Sequence, residues 1–370
     1  MRTLILTCNT GGGHNSCAKA IQQVFHKNGA VCDIADSLQF TSGRLSQFMS
    51  WGHTAMYRHI PGLFRWGYGF AEKHPDMLKE EGVAYKLISS GAEKLNAHIR
   101  KGGYDTIIST HVFAGLLLEQ MQKEYPLNLK TAFVATDYTC SPGTAACRYD
   151  RYFIPHEKLI QEFIAQDVPG DRIVVSGIPV GHDFHFRLDK EKAKESLGID
   201  PSHSHLLMMC GSMGCGPMEE LTRIFKEQMD ASAELSIVCG TNEKLCQELK
   251  SIAAGNPQIH IYGYTDRMND LMDSADLYLT KPGGLSVTEA AAKRLPMVLI
   301  DAVAGCEKYN LDFFVSSGGA VTADSPEALA DLCTALAKDE DRLSTMAERL
   351  SQIVEKPAAK AIFSAMQDIQ

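Results

Sequence analysis

Between Ser37 and Ala71 the chain contains no aspartate and no glutamate, although its 370 residues hold 45 acidic side chains against 36 lysines and arginines. The overall charge of −9 argues against nucleic acid as a partner, because gripping phosphates needs basic surface. No C-x-x-C pair occurs among the 11 cysteines, and the nearest spacings, Cys140/Cys147 and Cys210/Cys215, do not suit a zinc site. An odd, scattered set fits reduced thiols in a cytosol. No apolar run approaches the roughly 20 residues that cross a bilayer. The opening Met1–Thr7 is short and apolar, so it reads as a first strand rather than a signal peptide. Tryptophan is scarce, and both copies, Trp51 and Trp66, fall inside the acid-free window.

That window also carries Arg44, Arg58 and Arg65, interleaved with Phe40, Phe48, Tyr57, Phe64, Tyr68 and Phe70. Basic residues among aromatics suit the headgroup level of an anionic membrane. The plainer alternative is a pair of helices with an aromatic core and solvated arginines. The absence of acids favours the membrane, with Trp51, Arg58, Arg65 and Trp66 as the contacts. The expected location is cytoplasmic, peripheral on the inner face of the cell membrane.

What is present is strand–helix alternation, twice over. Thr3–Thr7, Val31–Ala35, Thr106–Thr110, Thr131–Thr136, Tyr152–Ile154 and Ile173–Ser176 read as strands. Between them lie helical stretches, including 15–27 and 83–100. After Gly177-Ile178-Pro179-Val180 the alternation restarts at Leu206–Cys210 and continues to a closing helical region over 326–368. The length suits two domains. The pattern predicts an α/β protein with two Rossmann-like doubly wound domains facing a cleft. The expected boundaries are 1–178, 179–345, and a C-terminal helix over 346–370 that packs back toward the first domain. Ligands of such sheets bind beyond the carboxyl ends of the strands. His14, His111 and Asp137 should therefore face the cleft from the first domain, and the loops at Gly211 and Gly283 from the second.

The most informative stretch is Thr280-Lys281-Pro282-Gly283-Gly284-Leu285-Ser286-Val287-Thr288-Glu289. It follows the strand-like Ala275–Leu279 and leads into a helix beginning near Ser286. Bare amides at a helix start, with no side chain at Gly283 or Gly284, make a site for a diphosphate. Glu289, one turn inside, could grip a ribose diol. The competing reading is a capping box, since Ser286 and Glu289 have its S-x-x-E spacing.

A second glycine loop, Gly211-Ser212-Met213-Gly214-Cys215-Gly216, follows the first strand of the second half. A third, Gly11-Gly12-Gly13-His14, follows the first strand of the chain. It is not a G-x-G-x-x-G fingerprint, so a dinucleotide site is poorly supported. A histidine at a helix start has its cationic form disfavoured by the dipole, which leaves a neutral base near pH 7. A structural cap is the alternative; Gly12 and Gly13 beside a cleft position favour the base.

These residues resemble a family: the monogalactosyldiacylglycerol synthases and bacterial diacylglycerol glucosyltransferases of glycosyltransferase family 28. The resemblance covers nearly the whole chain. It rests on Gly11-Gly12-Gly13-His14-x-x-x-Ala18, Thr136-Asp137-Tyr138, Ser176-Gly177-Ile178-Pro179-Val180, Gly263-Tyr264-Thr265, Lys281-Pro282-Gly283-Gly284 and Glu307-x-x-Asn310. It implies the glycosyltransferase-B fold, with an acceptor and membrane domain first and a UDP-sugar domain second. It implies inverting, metal-independent transfer of glucose or galactose from a UDP-sugar to diacylglycerol, with no further cofactor. His14 would take the acceptor proton, with Asp137 as the other candidate. Gly211, Ser212, Pro282, Gly283, Gly284, Leu285 and Ser286 would hold the diphosphate, Glu289 the ribose, and Gly263 and Tyr264 the uracil. Glu307 and Asn310 would face the sugar, and Gly12, Gly13 and His111 the acceptor.

Two departures stand out. Relatives commonly carry Gln-Glu at the sugar-facing pair, where this chain has Cys306-Glu307. Many carry a His and a Trp after Thr-Asp-Tyr, where this chain continues Thr139-Cys140-Ser141-Pro142. Both leave the sugar and the acceptor open. A polyprenyl-linked or soluble acceptor, a UDP-sugar epimerase of the same fold, and a non-catalytic UDP-sugar sensor are the alternatives.

Overall fold

A computed structural model describes residues 1–9, 12–41, 82–300 and 305–369. Trp51, Arg58, Arg65 and Trp66, the expected membrane contacts, lie outside the described residues. The chain divides into two compact units: Met1–His182 with Val303–Tyr309 and Lys356–Gln370, and Asp183–Ala302 with Asn310–Glu355.

In the first unit the strands are β1 (Arg2–Thr7), β2 (Val31–Asp36), β3 (Thr106–Ser109), β4 (Lys130–Val134), β5 (Arg151–Ile154) and β6 (Ile173–Val175). They form one parallel sheet in the order β2-β1-β3-β4-β5-β6. The helices are α1 (Gly12–Lys27), α2 (Val83–Ser89), α3 (Ala92–Gly102), α4 (Val112–Glu124) and α5 (Ile160–Ala165). Parallel strands need helical crossovers, and these cover the sheet, so the central strands are buried and largely apolar. Leu4, Ile5, Leu6, Ile107, Ile108, Val134 and Phe153 are fully enclosed. Each such side chain contributes roughly 1.5–3 kcal/mol by leaving water.

The second unit repeats the plan. Its elements are α6 (Lys190–Leu197), β7 (Ser204–Met209), α7 (Met218–Gln228), β8 (Ala233–Val238), α8 (Glu243–Ala253), β9 (Ile259–Tyr262), α9 (Met268–Ser274), β10 (Leu277–Thr280), α10 (Gly284–Lys293) and β11 (Met297–Leu299). After them come α11 (Cys306–Ser316), β12 (Ala320–Thr322), α12 (Pro326–Leu336), α13 (Glu340–Ser351) and α14 (Ala358–Gln367). The strand order is β12-β11-β10-β7-β8-β9, again all parallel. The core gathers Met208, Leu235, Ile237, Leu277, Leu279 and Val298. The last helix, α14, belongs to the first unit, where Phe363 meets Phe25 of α1 edge-on at 5.0 Å.

Three local expectations change. The helical stretch expected over 83–100 is two helices, α2 and α3, parted at Ser90-Gly91. A Cβ at Gly91 would come within 2.8 Å of the Phe40 carbonyl carbon, so the backbones touch and the helix parts there. Helix α1 starts at Gly12 rather than Asn15, which puts His14 inside the first turn. The C-terminal helix expected over 346–370 is instead the end of α13 and the whole of α14, which Pro357 caps. Among the described residues no helix is long and apolar enough to cross a membrane, and all 11 cysteines are free thiols.

Candidate active site

Strands β1, β3 and β4 lie side by side, so the residues after their carboxyl ends meet above the first sheet. His14 comes from α1, Thr110 and His111 follow β3, and Thr136 and Asp137 follow β4. Asn15 of α1 accepts from the Thr7 hydroxyl at 3.0 Å and donates to the Asn9 side chain at 2.5 Å. His14 Nδ1 lies 2.8 Å from the Thr110 carbonyl oxygen. A carbonyl only accepts, so Nδ1 carries the proton and Nε2 keeps its lone pair. Thr136 Oγ1 stands 3.1 Å from the same nitrogen and shares that proton.

Burial holds the His14 imidazolium below its ordinary range, against the opposing pull of the Asp137 carboxylate and the Thr110 carbonyl. The imidazole is therefore neutral at pH 7. His111 meets it edge-on at 4.6 Å. There Nδ1 accepts the Phe113 amide at 3.1 Å to cap α4, so in the neutral ring the proton sits on Nε2. The two imidazoles thus hold opposite tautomers, one with a basic Nε2 and one with a donating Nε2.

The segment after Asp137 is pinned by Glu162. Its Oε1 accepts from Thr139 Oγ1 at 2.5 Å and from the Cys140 amide at 2.7 Å. In the same unit Ser141 Oγ and Cys306 Sγ lie 3.6 Å apart. The two departures from the family pattern, far apart in sequence, are in contact.

In the second unit β7 and β10 are neighbours, with Met209 opposite Thr280, so their loops leave the sheet together. Thr280 Oγ1 donates to the Met209 carbonyl at 2.6 Å and clamps the two exits. Helix α10 has Gly283 as its N-cap, with no side-chain cap bond. The first helical bond to that end runs from Val287 to the Gly283 carbonyl at 3.1 Å. The amides of Gly284, Leu285 and Ser286 therefore lack the helical acceptors that interior amides have. Ser286 is the third helical residue and not the cap, so the S-x-x-E spacing forms no capping box.

Gly283 has φ −72, an ordinary value, and a Cβ there would meet no atom within 4 Å. Neither backbone nor packing requires glycine there, and the space beside it is open. Gly214 differs, since it has φ +56 and a Cβ would sit 2.4 Å from the Cys239 carbonyl. The Gly211 loop presses there on the loop after β8, where the Thr241 amide donates to the Ser212 carbonyl at 2.9 Å and Asn242 Nδ2 to the Gly214 carbonyl at 3.0 Å.

Glu289 lies in the second turn of α10, and burial pushes its carboxyl up to about 8. Gly263 and Tyr264 follow β9 in the same unit, the tyrosine 80% exposed. Glu307 and Asn310 stand one turn apart on α11. Asn310 is fully buried and donates its amide to the Pro282 carbonyl at 2.9 Å, holding the turn from behind. The sequence reading gave the side chains of Thr136, Glu162 and Asn242 and the Thr110 carbonyl no role, because their partners include atoms distant in the chain.

Two family descriptions match this geometry in sequence. Residues 14–180 match the monogalactosyldiacylglycerol (MGDG) synthase family and residues 205–362 the glycosyltransferase family 28 C-terminal domain. A processive diacylglycerol beta-glucosyltransferase from Staphylococcus carnosus is 31% identical over 265 residues, 71% of this chain and 67% of that protein. The chain belongs to this family of glycosyltransferases. A second relative in the family, from Bacillus cytotoxicus and of the same name, is 27% identical across 98% of this chain and 92% of its own length. In structure the glycosyltransferase resembles MurG of Acinetobacter baumannii, with a TM-score of 0.67 at 14% identity, covering 100% and 99% of the two chains. It also resembles Anabaena HepE in complex with UDP, with a TM-score of 0.59 at 14% identity over the full length of both. Both likenesses bear on the fold, which is the glycosyltransferase-B fold.

Proposed function

We propose that this glycosyltransferase moves glucose from a UDP-sugar to the free hydroxyl of 1,2-diacylglycerol with inversion, making a β-glycolipid at the inner face of the cell membrane. The observations that carry this are a neutral, Nδ1-anchored histidine within the first unit and a bare helix N-terminus within the second. Relatives named diacylglycerol beta-glucosyltransferases support the acceptor and the sugar.

The acceptor hydroxyl lies against His14 Nε2, and its proton moves to that nitrogen as the oxygen attacks the anomeric carbon. His111 Nε2–H steadies the hydroxyl oxygen, and Asp137 favours the imidazolium that forms. The bond from the anomeric carbon to the diphosphate breaks, and its electron pair leaves on the diphosphate. The amides of Gly284, Leu285 and Ser286 face the charge that develops, with Gly211 and Ser212 across from them. Glu289 takes the ribose hydroxyls, Gly263 and Tyr264 the uracil, and Glu307 the sugar. No metal or other cofactor is required in this scheme.

The test is to incubate the protein with UDP-glucose, UDP-galactose and UDP-N-acetylglucosamine, each with diacylglycerol in mixed micelles, and to identify the product lipid and its anomeric configuration. A β-glucosyldiacylglycerol is expected. Sugar consumption without acceptor indicates an epimerase, and transfer only to a soluble or polyprenyl-linked acceptor replaces the lipid reading.

A further inference from the structure

Lys281 follows β10 directly and precedes the Pro282-Gly283-Gly284 turn, yet it is only 5% exposed. The turn doubles back on it, since the Gly283 amide donates to the Lys281 carbonyl at 2.9 Å. Its side chain runs toward the other glycine loop of the same unit. A Cβ at Gly216, where φ is +112, would come within 3.4 Å of Lys281 Cε. That is contact distance, so the lysine stem lies against the Gly216 backbone, whose φ is what favours glycine there. The stem therefore passes between the two glycine loops, which leave neighbouring strands together.

We propose that Lys281 is a catalytic residue, its ammonium serving as counter-ion to the departing diphosphate. This rests on the donor-site reading above. When the bond between the anomeric carbon and the diphosphate oxygen breaks, the electron pair stays on that oxygen and the diphosphate gains a full negative charge. A helix terminus supplies roughly half a unit of positive charge. A lysine ammonium reaching the diphosphate would supply a whole one and donate charge-assisted hydrogen bonds that strengthen as the bond breaks. Burial between the loops keeps it out of bulk water, where its attraction would be weaker.

The experiment is calorimetric titration of UDP and of uridine into the parent, Lys281→Met and Lys281→Arg, together with initial transfer rates. The parent should prefer UDP over uridine. In Lys281→Met the UDP affinity should fall about 10- to 100-fold, the scale of a lost charge-assisted hydrogen bond, while uridine affinity stays within about threefold. The rate should fall further than the affinity, since the charge peaks in the transition state. Lys281→Arg should keep most of the preference. An unchanged ratio of UDP to uridine affinity in Lys281→Met overturns the assignment to Lys281. A parent that binds no UDP overturns the donor reading itself, a distinct result. If Lys281→Met lacks a native circular dichroism spectrum, Lys281→Gln takes its place with the same criteria.

Discussion

His14 Nδ1 sits 2.8 Å from the Thr110 carbonyl, and that one contact decides which nitrogen of the ring can act as a base. Replacing His14 with alanine should lower the transfer rate by about 10²-fold or more while UDP affinity stays near the parent value. A variant retaining more than about a tenth of the parent rate moves the base to Asp137. Burial lowers the His14 pKa and Asp137 raises it, so the acid limb of kcat/KM should lie below pH 6.5. In Asp137→Asn the raising influence is gone, so the limb should move to still lower pH. A limb that stays in place, or moves up, shows that Asp137 does not act through His14.

The strands of both sheets were legible because buried parallel strands read as apolar runs between helical stretches. The helix starts were less so. Gly12, Gly13 and Gly284 lie inside first turns, where each costs about 1 kcal/mol relative to alanine, so they read as loop. The Ser286/Glu289 spacing imitated a capping box because the signature ignores which residue takes the cap position, and here Gly283 takes it. The break at Gly91 follows from contact with Phe40, which no periodicity within 83–100 encodes. In the same way Asn310 behind Pro282 and Glu162 beneath Thr139 and Cys140 depend on tertiary closure.

Glu289 should couple pH to stability. Its folded pKa of about 8 lies above the ordinary 4.5, so between those values the folded protein keeps a proton that the unfolded chain has released. Stability therefore falls as pH rises through that window. Glu289→Gln removes the effect. Measured without nucleotide, the melting temperature of the variant relative to the parent should be higher at pH 8 than at pH 5. Its UDP affinity should be at least several-fold weaker. An equal difference at both pH values means that the carboxyl is not held protonated.

Lys293 at the end of α10 pairs with Asp273 of α9 at 2.7 Å, both side chains enclosed, and it also bonds the Phe186 carbonyl. Asp273→Asn leaves the ammonium buried without its counter-charge, so denaturant titration should show a loss of about 3–5 kcal/mol. A loss under about 1 kcal/mol would mean that water reaches the pair.

The acid-free window remains a sequence-based expectation, because Trp51, Arg58, Arg65 and Trp66 lie outside the described residues. Replacing all four should reduce sedimentation with anionic liposomes more than with neutral ones. Each arginine should contribute roughly 1 kcal/mol, weakened by salt. Equal binding by parent and variant at low salt removes this segment from the membrane contact.

Gly283 separates ligand space from folding need most directly. Its φ of −72 and the open volume beside it mean that alanine fits the unliganded fold without strain or clash. Gly283→Ala should change unfolding free energy by less than about 1 kcal/mol, because the gain from a more restricted unfolded chain opposes the loss of glycine at the N-cap. The same methyl would enter the open space that the proposed function assigns to the diphosphate, so UDP affinity and transfer rate should both fall by at least tenfold. Uridine, which lacks the phosphates, should bind as it does to the parent. A variant that is as stable as the parent and binds UDP as tightly would show that the turn only shapes the chain and that the diphosphate sits elsewhere.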